Sequence, residues 1–265
     1  MVVSPPPCWD ECVQILWPTP SGESPAGALT DADLERIYDY PDQLDRPWVQ
    51  VNFVASADGA VSVGEHSEGL SSPGDKRLFL LGRDLADVIL VGAGTVTTED
   101  YRGARPRPRR SRLGRTDFPP IAVVTNRCTI RPDSRLLTDT HVPPIVLTCA
   151  AAPEDRRGAL ADAGAEVVLA GEGSVDLRLA LDALARRGLR RVDCEGGPHL
   201  FGGLLAEDLV DQLCLTVAPL LTGTGPSRIV AGPPVDVPRG LRLASVLHED
   251  GFLMLRYRRG TGGSG

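Results

Sequence analysis

The chain has 265 residues, 42% of them hydrophobic and 24% charged, which matches an ordinary globular protein with room for one large or two small domains. A net charge of −7 gives no overall attraction to nucleic acid. No apolar run reaches the roughly 18 residues of a membrane span, and the N-terminus lacks a basic segment followed by an apolar one, so the chain reads as cytoplasmic, with no membrane and no nucleic-acid partner.

Residues 1–46 are rich in Pro, Ser and Gly and read as an N-terminal arm packed on the edge of the main domain. One helix is predicted within it, Thr30–Tyr38, opened by a capping-box-like Thr30 and Asp33. From Trp48 onward, short β-branched runs alternate with amphipathic or glycine-opened segments. Strands are predicted at 48–56, 87–92, 121–125, 144–149, 165–170, 190–194 and 211–218, and helices at 73–86, 94–99, 153–163, 175–187 and 198–206. Continuous apolar strands in a β/α alternation predict an α/β fold, a parallel sheet covered by helices on both faces. The end departs from this pattern: 241–248 and 252–258 read as an antiparallel hairpin turning at Asp250-Gly251, so the sheet is mixed but mostly parallel. The main domain is thus predicted over 47–258, with 259–265 a frayed tail.

Residues 102–115 carry seven arginines and two prolines in fourteen positions and read as a loop without regular helix, either seeking phosphate or simply solvated. Among 28 basic residues Lys76 is the single lysine, which leaves amine chemistry one candidate. The cysteines, at 8, 12, 128, 149, 194 and 214, form no C-x-x-C pair and read as free thiols. The histidines, at 66, 141, 199 and 248, are scattered, so zinc-dependent deamination and metal hydrolysis lack their ligands and no metal is expected.

In an open α/β sheet, ligands gather at the carboxyl ends of strands. Three strand exits stand out. Gly92-Ala93-Gly94-Thr95 leaves an apolar strand into a helix start, where free N–H groups suit an anion. Glu195-Gly196-Gly197-Pro198-His199-Leu200 repeats the arrangement about a hundred residues on, with a carboxylate that is costly there unless it binds something or pairs with Arg190 or Arg191. Asp58-Gly59 ends the first core strand, as a site or only a turn.

These pieces, Phe53-Val-Ala-Ser-Ala-Asp-Gly59, Arg83 through Val96, Glu195 through Leu200 and Leu209 through Pro219, resemble the pyrimidine reductases of riboflavin biosynthesis, whose domain has a dihydrofolate-reductase-like fold. The resemblance implies NADPH as cofactor, with contacts at Val54, Gly94, Thr95, Glu99, Asn126, Gly196, Gly197, Pro198, His199, Leu200, Phe201 and Gly202, and with Arg127 placed to meet a 2′-phosphate. It implies hydride transfer to the opened ribose of a 5-amino-6-(phosphoribosylamino)pyrimidine. Asn52, Ser67, Arg83, Arg105 and Glu195 fall at substrate positions, and Asp58 and Glu195 would handle protons or orient hydroxyls. A homodimer is implied too, with the 211–218 strand either interface or core, and a separate protein would supply the deaminase step. Asn52 replaces a lysine of many relatives, Gly69 a tryptophan of some, and Ala57 a leucine. Reduction of another pterin-like heterocycle such as dihydrofolate, or non-catalytic NADP binding, stays open at this level.

Overall fold

The computed structural model describes residues 13–18, 29–64, 66–223, 228–235 and 237–260. Within them the chain forms β1 (Gln14–Trp17), α1 (Asp31–Tyr38), β2 (Trp48–Ser56), α2 (Pro73–Leu85), β3 (Val88–Gly92), α3 (Ala93–Thr98), α4 (Pro108–Arg112), β4 (Ile121–Val124) and α5 (Arg135–Thr138). There follow β5 (Ile145–Thr148), α6 (Glu154–Asp162), β6 (Glu166–Leu169), α7 (Leu177–Ala185), β7 (Arg191–Cys194), α8 (Pro198–Ala206), β8 (Gln212–Ala218), β9 (Leu241–Glu249) and β10 (Phe252–Arg259). All the strands join one ten-stranded sheet in the order β1-β9-β10-β8-β2-β7-β3-β4-β5-β6.

From β8 to β6 every pairing is parallel, and from β8 outward to β1 every pairing is antiparallel. The predicted mixed, mostly parallel α/β sheet is therefore what forms. Side-chain alternation explains why β3 and β4, central in the sheet, are apolar throughout. On β3, Val88 and Leu90 join a core with Leu181, Leu184 and Leu204 from α7 and α8, whereas Ile89 and Val91 join a separate core with Leu136 and Leu160 from α5 and α6. A third core sets Leu34 of α1 and Leu78, Leu81 and Leu85 of α2 against Leu247 and Met254 of the hairpin. The hairpin turns where predicted, with Asp250 at φ 50° and Gly251 at φ 78°, the left-handed pair a two-residue turn requires. At α1 the capping box also forms: Asp33 N–H donates to Thr30 Oγ1 at 3.2 Å and Thr30 N–H to Asp33 Oδ2 at 3.0 Å.

Several expectations are corrected. The arm contributes an edge strand, β1, which pairs antiparallel with β9. Its residues 1–12 and 19–28, with Cys8 and Cys12, lie outside the described residues, as do 261–265 of the tail, whose Arg259 instead completes β10. Cys128, Cys149, Cys194 and Cys214 are buried free thiols, and burial pushes Cys194 and Cys214 up to about 12. β8 lies inside the sheet, so its apolar residues are core rather than interface.

Most of the arginine-rich stretch is not a solvated loop: Arg105, Arg107, Arg109, Arg112 and Arg115 pair with carboxylates, while Arg102 enters no ion pair among the described residues. The stretch contains α4, started by Pro108. Arg109 reaches Asp31 at 2.7 Å, Glu35 at 2.8 Å and Asp84 at 3.0 Å, while Arg112 pairs with Glu35 at 2.5 Å and Arg107 with Asp84 at 2.8 Å. Arg110 is fully buried and caps the end of α2: its Nη1 donates to the carbonyls of Arg83, Asp84 and Ala86 at 2.6, 3.1 and 2.8 Å. Arg110→Ala strands those carbonyls, so the urea midpoint should fall by an amount equivalent to about 3 kcal/mol with little change in slope; an unchanged midpoint contradicts the capping role.

Candidate active site

The carboxyl ends of β2, β3, β4 and β7 open onto one cleft of about 1650 Å³. β7 runs between β2 and β3, and its ladder continues past its last residue: Glu195 N–H donates to Leu90 O at 2.9 Å and Gly92 N–H to Gly196 O at 2.8 Å. The two glycine-lined exits seen in the sequence are thereby hydrogen-bonded side by side. Gly196 has φ +88°, and a Cβ there would lie 2.8 Å from the Phe53 ring, so both conformation and space require glycine. The Gly196–Gly197 peptide is cis.

Glu195 forms the floor of the cleft, and its partner is neither Arg190 nor Arg191 but Arg83 of α2. Arg83 Nε donates to Oε1 at 2.6 Å and Nη2 to Oε2 at 2.8 Å, while the Tyr101 hydroxyl donates to Oε2 at 2.6 Å. The Glu195 side chain is 1% exposed and that of Arg83 20%. Arg83 lies 4.7 Å from the Phe79 ring centre and 5.6 Å from that of Tyr101, held between two π-faces. Burial opposes its charge, but the Glu195 carboxylate prevails and keeps it protonated above the usual arginine range. Burial, then the Glu195 charge, pushes the Tyr101 hydroxyl well up. Because Glu195 takes the two-pronged edge of Arg83, a ligand meets only Nη1.

The other expected residues divide into two groups. Asn52, Val54, Ser67, Gly94, Thr95, Glu99, Asn126, Gly197, Pro198, His199 and Leu200 all line the cleft beside Arg83 and Glu195. Ser67 N–H donates to Glu99 Oε1 at 3.0 Å, which pins the loop after β2 to the end of α3. Asn126 Oδ1 accepts from Val175 N–H at 2.7 Å and fixes the rim at β4.

Asp58, Arg105, Gly196, Phe201 and Gly202 do not line it. The Asp58 carboxylate accepts from the Ser56 hydroxyl and from Thr222 N–H at 3.0 Å and Gly223 N–H at 2.8 Å, bonds that hold it down at about 2, the Ser56 hydroxyl foremost. These bonds tie the turn after β2 to the Thr222–Gly223 segment. Arg105 pairs with Asp139 at 2.6 Å. Phe201 is buried and stacks on Phe53 at 5.5 Å, and Gly202 leaves room for the Ala231 carbonyl. Phe79, Tyr101, Asp75, Lys76 and Arg102 also line the cleft and were not anticipated as site residues. Of these, Asp75, in the first turn of a predicted helix, the lone Lys76, and Arg102, in the arginine-rich stretch, carried a sequence signal.

A dinucleotide fits this geometry. The first-turn N–H groups of His199 and Leu200 on α8 face the cleft with no acceptor among the described residues, as an anionic diphosphate requires. A Cβ at Gly197 would lie 2.5 Å from Thr95 Oγ1 and close the gap between α3 and α8.

Sheet order, strand-end cleft and glycine-lined helix start are those of the dihydrofolate-reductase-like fold. Residues 47–251 match the RibD C-terminal domain family, and the chain belongs to that family. A 2,5-diamino-6-ribosylamino-4(3H)-pyrimidinone 5′-phosphate reductase of Archaeoglobus fulgidus is 34% identical over 67% of this chain and 83% of its own. One of the same name from Methanothermobacter thermautotrophicus is 32% identical over 72% and 87%. The crystal structure of a pyrimidine reductase-like protein from Corynebacterium diphtheriae superposes with a TM-score of 0.73 at 25% identity, covering 82% of this chain and 93% of that one. Reductases of this family use a nicotinamide cofactor, which supplies a hydride when bound.

One buried group next to the floor makes a pH signature. Asp193 on β7 is fully buried, and burial, then the Glu195 charge, raises it to about 8. Its Oδ1 accepts from Gln50 at 3.2 Å, while Oδ2 has no partner. The folded state holds this proton where the unfolded chain loses it near the ordinary 3.8, so stability should fall as pH rises from about 4 to about 8 and then level. Urea titrations of Asp193→Asn should show a flatter dependence over that window; identical slopes contradict a proton on Asp193.

Proposed function

We propose that this chain is an NADPH-dependent reductase acting on a 5-amino-6-(phosphoribosylamino)pyrimidine in riboflavin biosynthesis. The observation that carries this reading is the Glu195–Arg83 pair at the floor of a cleft whose other wall is the free N-terminus of α8. The cofactor would be held by Val54, Thr95, Glu99, Asn126 and the first turn of α8, with Arg127 at the end of β4 meeting the 2′-phosphate. Arg127 lines the cleft and enters no ion pair among the described residues, so its charge is available.

For the substrate, Arg83 Nη1, Ser67 and Asn52 supply polar contacts, and Glu195 orients a hydroxyl while keeping Arg83 in place. Arg102 lines the cleft without an ion pair among the described residues and takes the phosphate role that Arg105, occupied by Asp139, does not. No helix among the described residues is long and apolar enough to cross a membrane, in keeping with a cytoplasmic enzyme. Exposed Leu220, Leu221 and Leu253, beside β8, are the surface assigned to a homodimer.

Purified protein should oxidise NADPH with the ribosylaminopyrimidine phosphate and not with dihydrofolate; turnover on dihydrofolate alone overturns the substrate assignment. Arg127→Ala should raise KM for NADPH about tenfold or more and leave KM for NADH within about twofold, and an equal rise for both removes the 2′-phosphate role.

A further inference from the structure

Buried carboxylates in this arginine-rich chain are mostly neutralised: Glu195 by Arg83, Asp84 by Arg107, Glu35 by Arg112, Asp211 by Arg46. Asp75, Asp193 and Glu249 are buried without an ion pair among the described residues, and of these three Asp75 alone lines the cleft. Asp75 sits in the first turn of α2, its N–H bonded to Ser72 Oγ at 3.1 Å, and its carboxylate accepts from Ser71 Oγ at 2.5 Å. Asp75, Phe79 and Arg83 follow one another along one helix face, all on the cleft.

The groups around Asp75 come from four elements. Thr216 of β8 offers a hydroxyl, with Cys214 on the same strand face; Tyr38 faces it from α1; Glu249 of β9 packs on the adjacent Gly74; and Lys76 of its own helix pairs with Glu68 at 3.1 Å. Burial pushes the Asp75 carboxyl up, against the opposing hydroxyl bonds and the Lys76 charge. Other acids are less suited to giving up a proton. Both oxygens of Glu195 are taken by Arg83 and Tyr101, Glu68 pairs with Lys76 and Asp100 with Arg135, Asp58 lies off the cleft, and Glu99 already accepts from Ser67. Glu207 lines the cleft from beyond the C-terminal end of α8, away from the helix start that faces the cofactor.

We propose that Asp75 is the general acid of the cleft, handing a proton to the substrate nitrogen as the ribosyl carbon is reduced; this rests on the reductase reading above. The ring-opened ribosylamine is an imine. Its carbon gains one hydrogen and two electrons as hydride from the reduced nicotinamide, which leaves oxidised. The C=N bond becomes C–N, the Asp75 O–H bond breaks as the new N–H bond forms, and the carboxylate regains a proton from water in the cleft.

The test has two arms on the full-length protein. In the ligand-free protein, ¹³C NMR of labelled aspartate carboxyls should show one resonance, absent from Asp75→Asn, that titrates above the ordinary aspartate range; titration within that range overturns the proposal. In single-turnover assays with NADPH and the ribosylaminopyrimidine phosphate, Asp75→Asn should slow reduction about 100-fold, keep the NADPH dissociation constant within about threefold, and lose the decline of rate toward high pH. A rate within about threefold of wild type, or a retained alkaline decline, overturns the proposal alone. No turnover by wild type overturns the substrate reading with it. If Asp75→Asn does not fold, wild-type reduction that is flat between pH 5 and 9 overturns the proposal.

Discussion

The Arg83–Glu195 pair is the constraint on which the rest of the cleft depends. Two charges buried together repay their desolvation only when geometry is good and the remaining donors and acceptors are satisfied, and removing one partner of such a pair costs about 3–5 kcal/mol. Here both carboxylate oxygens are used, Tyr101 adds a third bond, and two rings flank the guanidinium. The pair joins α2 to the end of β7, and the end of β7 carries the glycines that open α8. The α2 and α8 walls of the cleft are thus set by one contact.

Its support extends outward through arginines. The carbonyl of Arg83 accepts from buried Arg110, whose helix also brings Arg109 to Asp84, Asp31 and Glu35. The chain spends 27 of its 28 basic residues on arginine, and the bidentate guanidinium suits this use better than a lysine ammonium would. Asp75, Asp193 and Glu249 are the buried carboxylates outside this network, and burial pushes the first two up. Asp193 lies in the core, and Asp75 lines the cleft.

Much of the architecture was legible because the parallel strands are buried on both faces and read as continuous apolar runs, and because Asp250-Gly251 admits few turns. β1 was not, since a four-residue edge strand gains its pairing only from β9, far along the chain. The stretch 102–115 misled for a related reason: charge density reads as solvated, and the acids that bind it come from α1 and α2. At the site, the Glu195–Gly197 exit was legible from its placement after a buried strand. Phe201 and Gly202 were included because they follow in sequence, yet helical periodicity turns them to the core. At Asp58 a carboxylate at a strand end and a carboxylate anchoring a turn look alike in sequence until the Thr222 and Gly223 amides are placed. Asp75 escaped notice because an acid in the first turn of a helix already has an explanation in capping and the helix dipole.

The central claim, that one cleft between α2 and α8 holds cofactor and substrate across the Arg83–Glu195 floor, is tested most directly by a crystal structure with NADP⁺ and the ribosylaminopyrimidine phosphate bound. The account requires the diphosphate on the N–H groups of His199 and Leu200 and the sugar within hydrogen-bond reach of Arg83 or Glu195. A dinucleotide seated elsewhere, or a substrate that makes no contact with that floor, would contradict it.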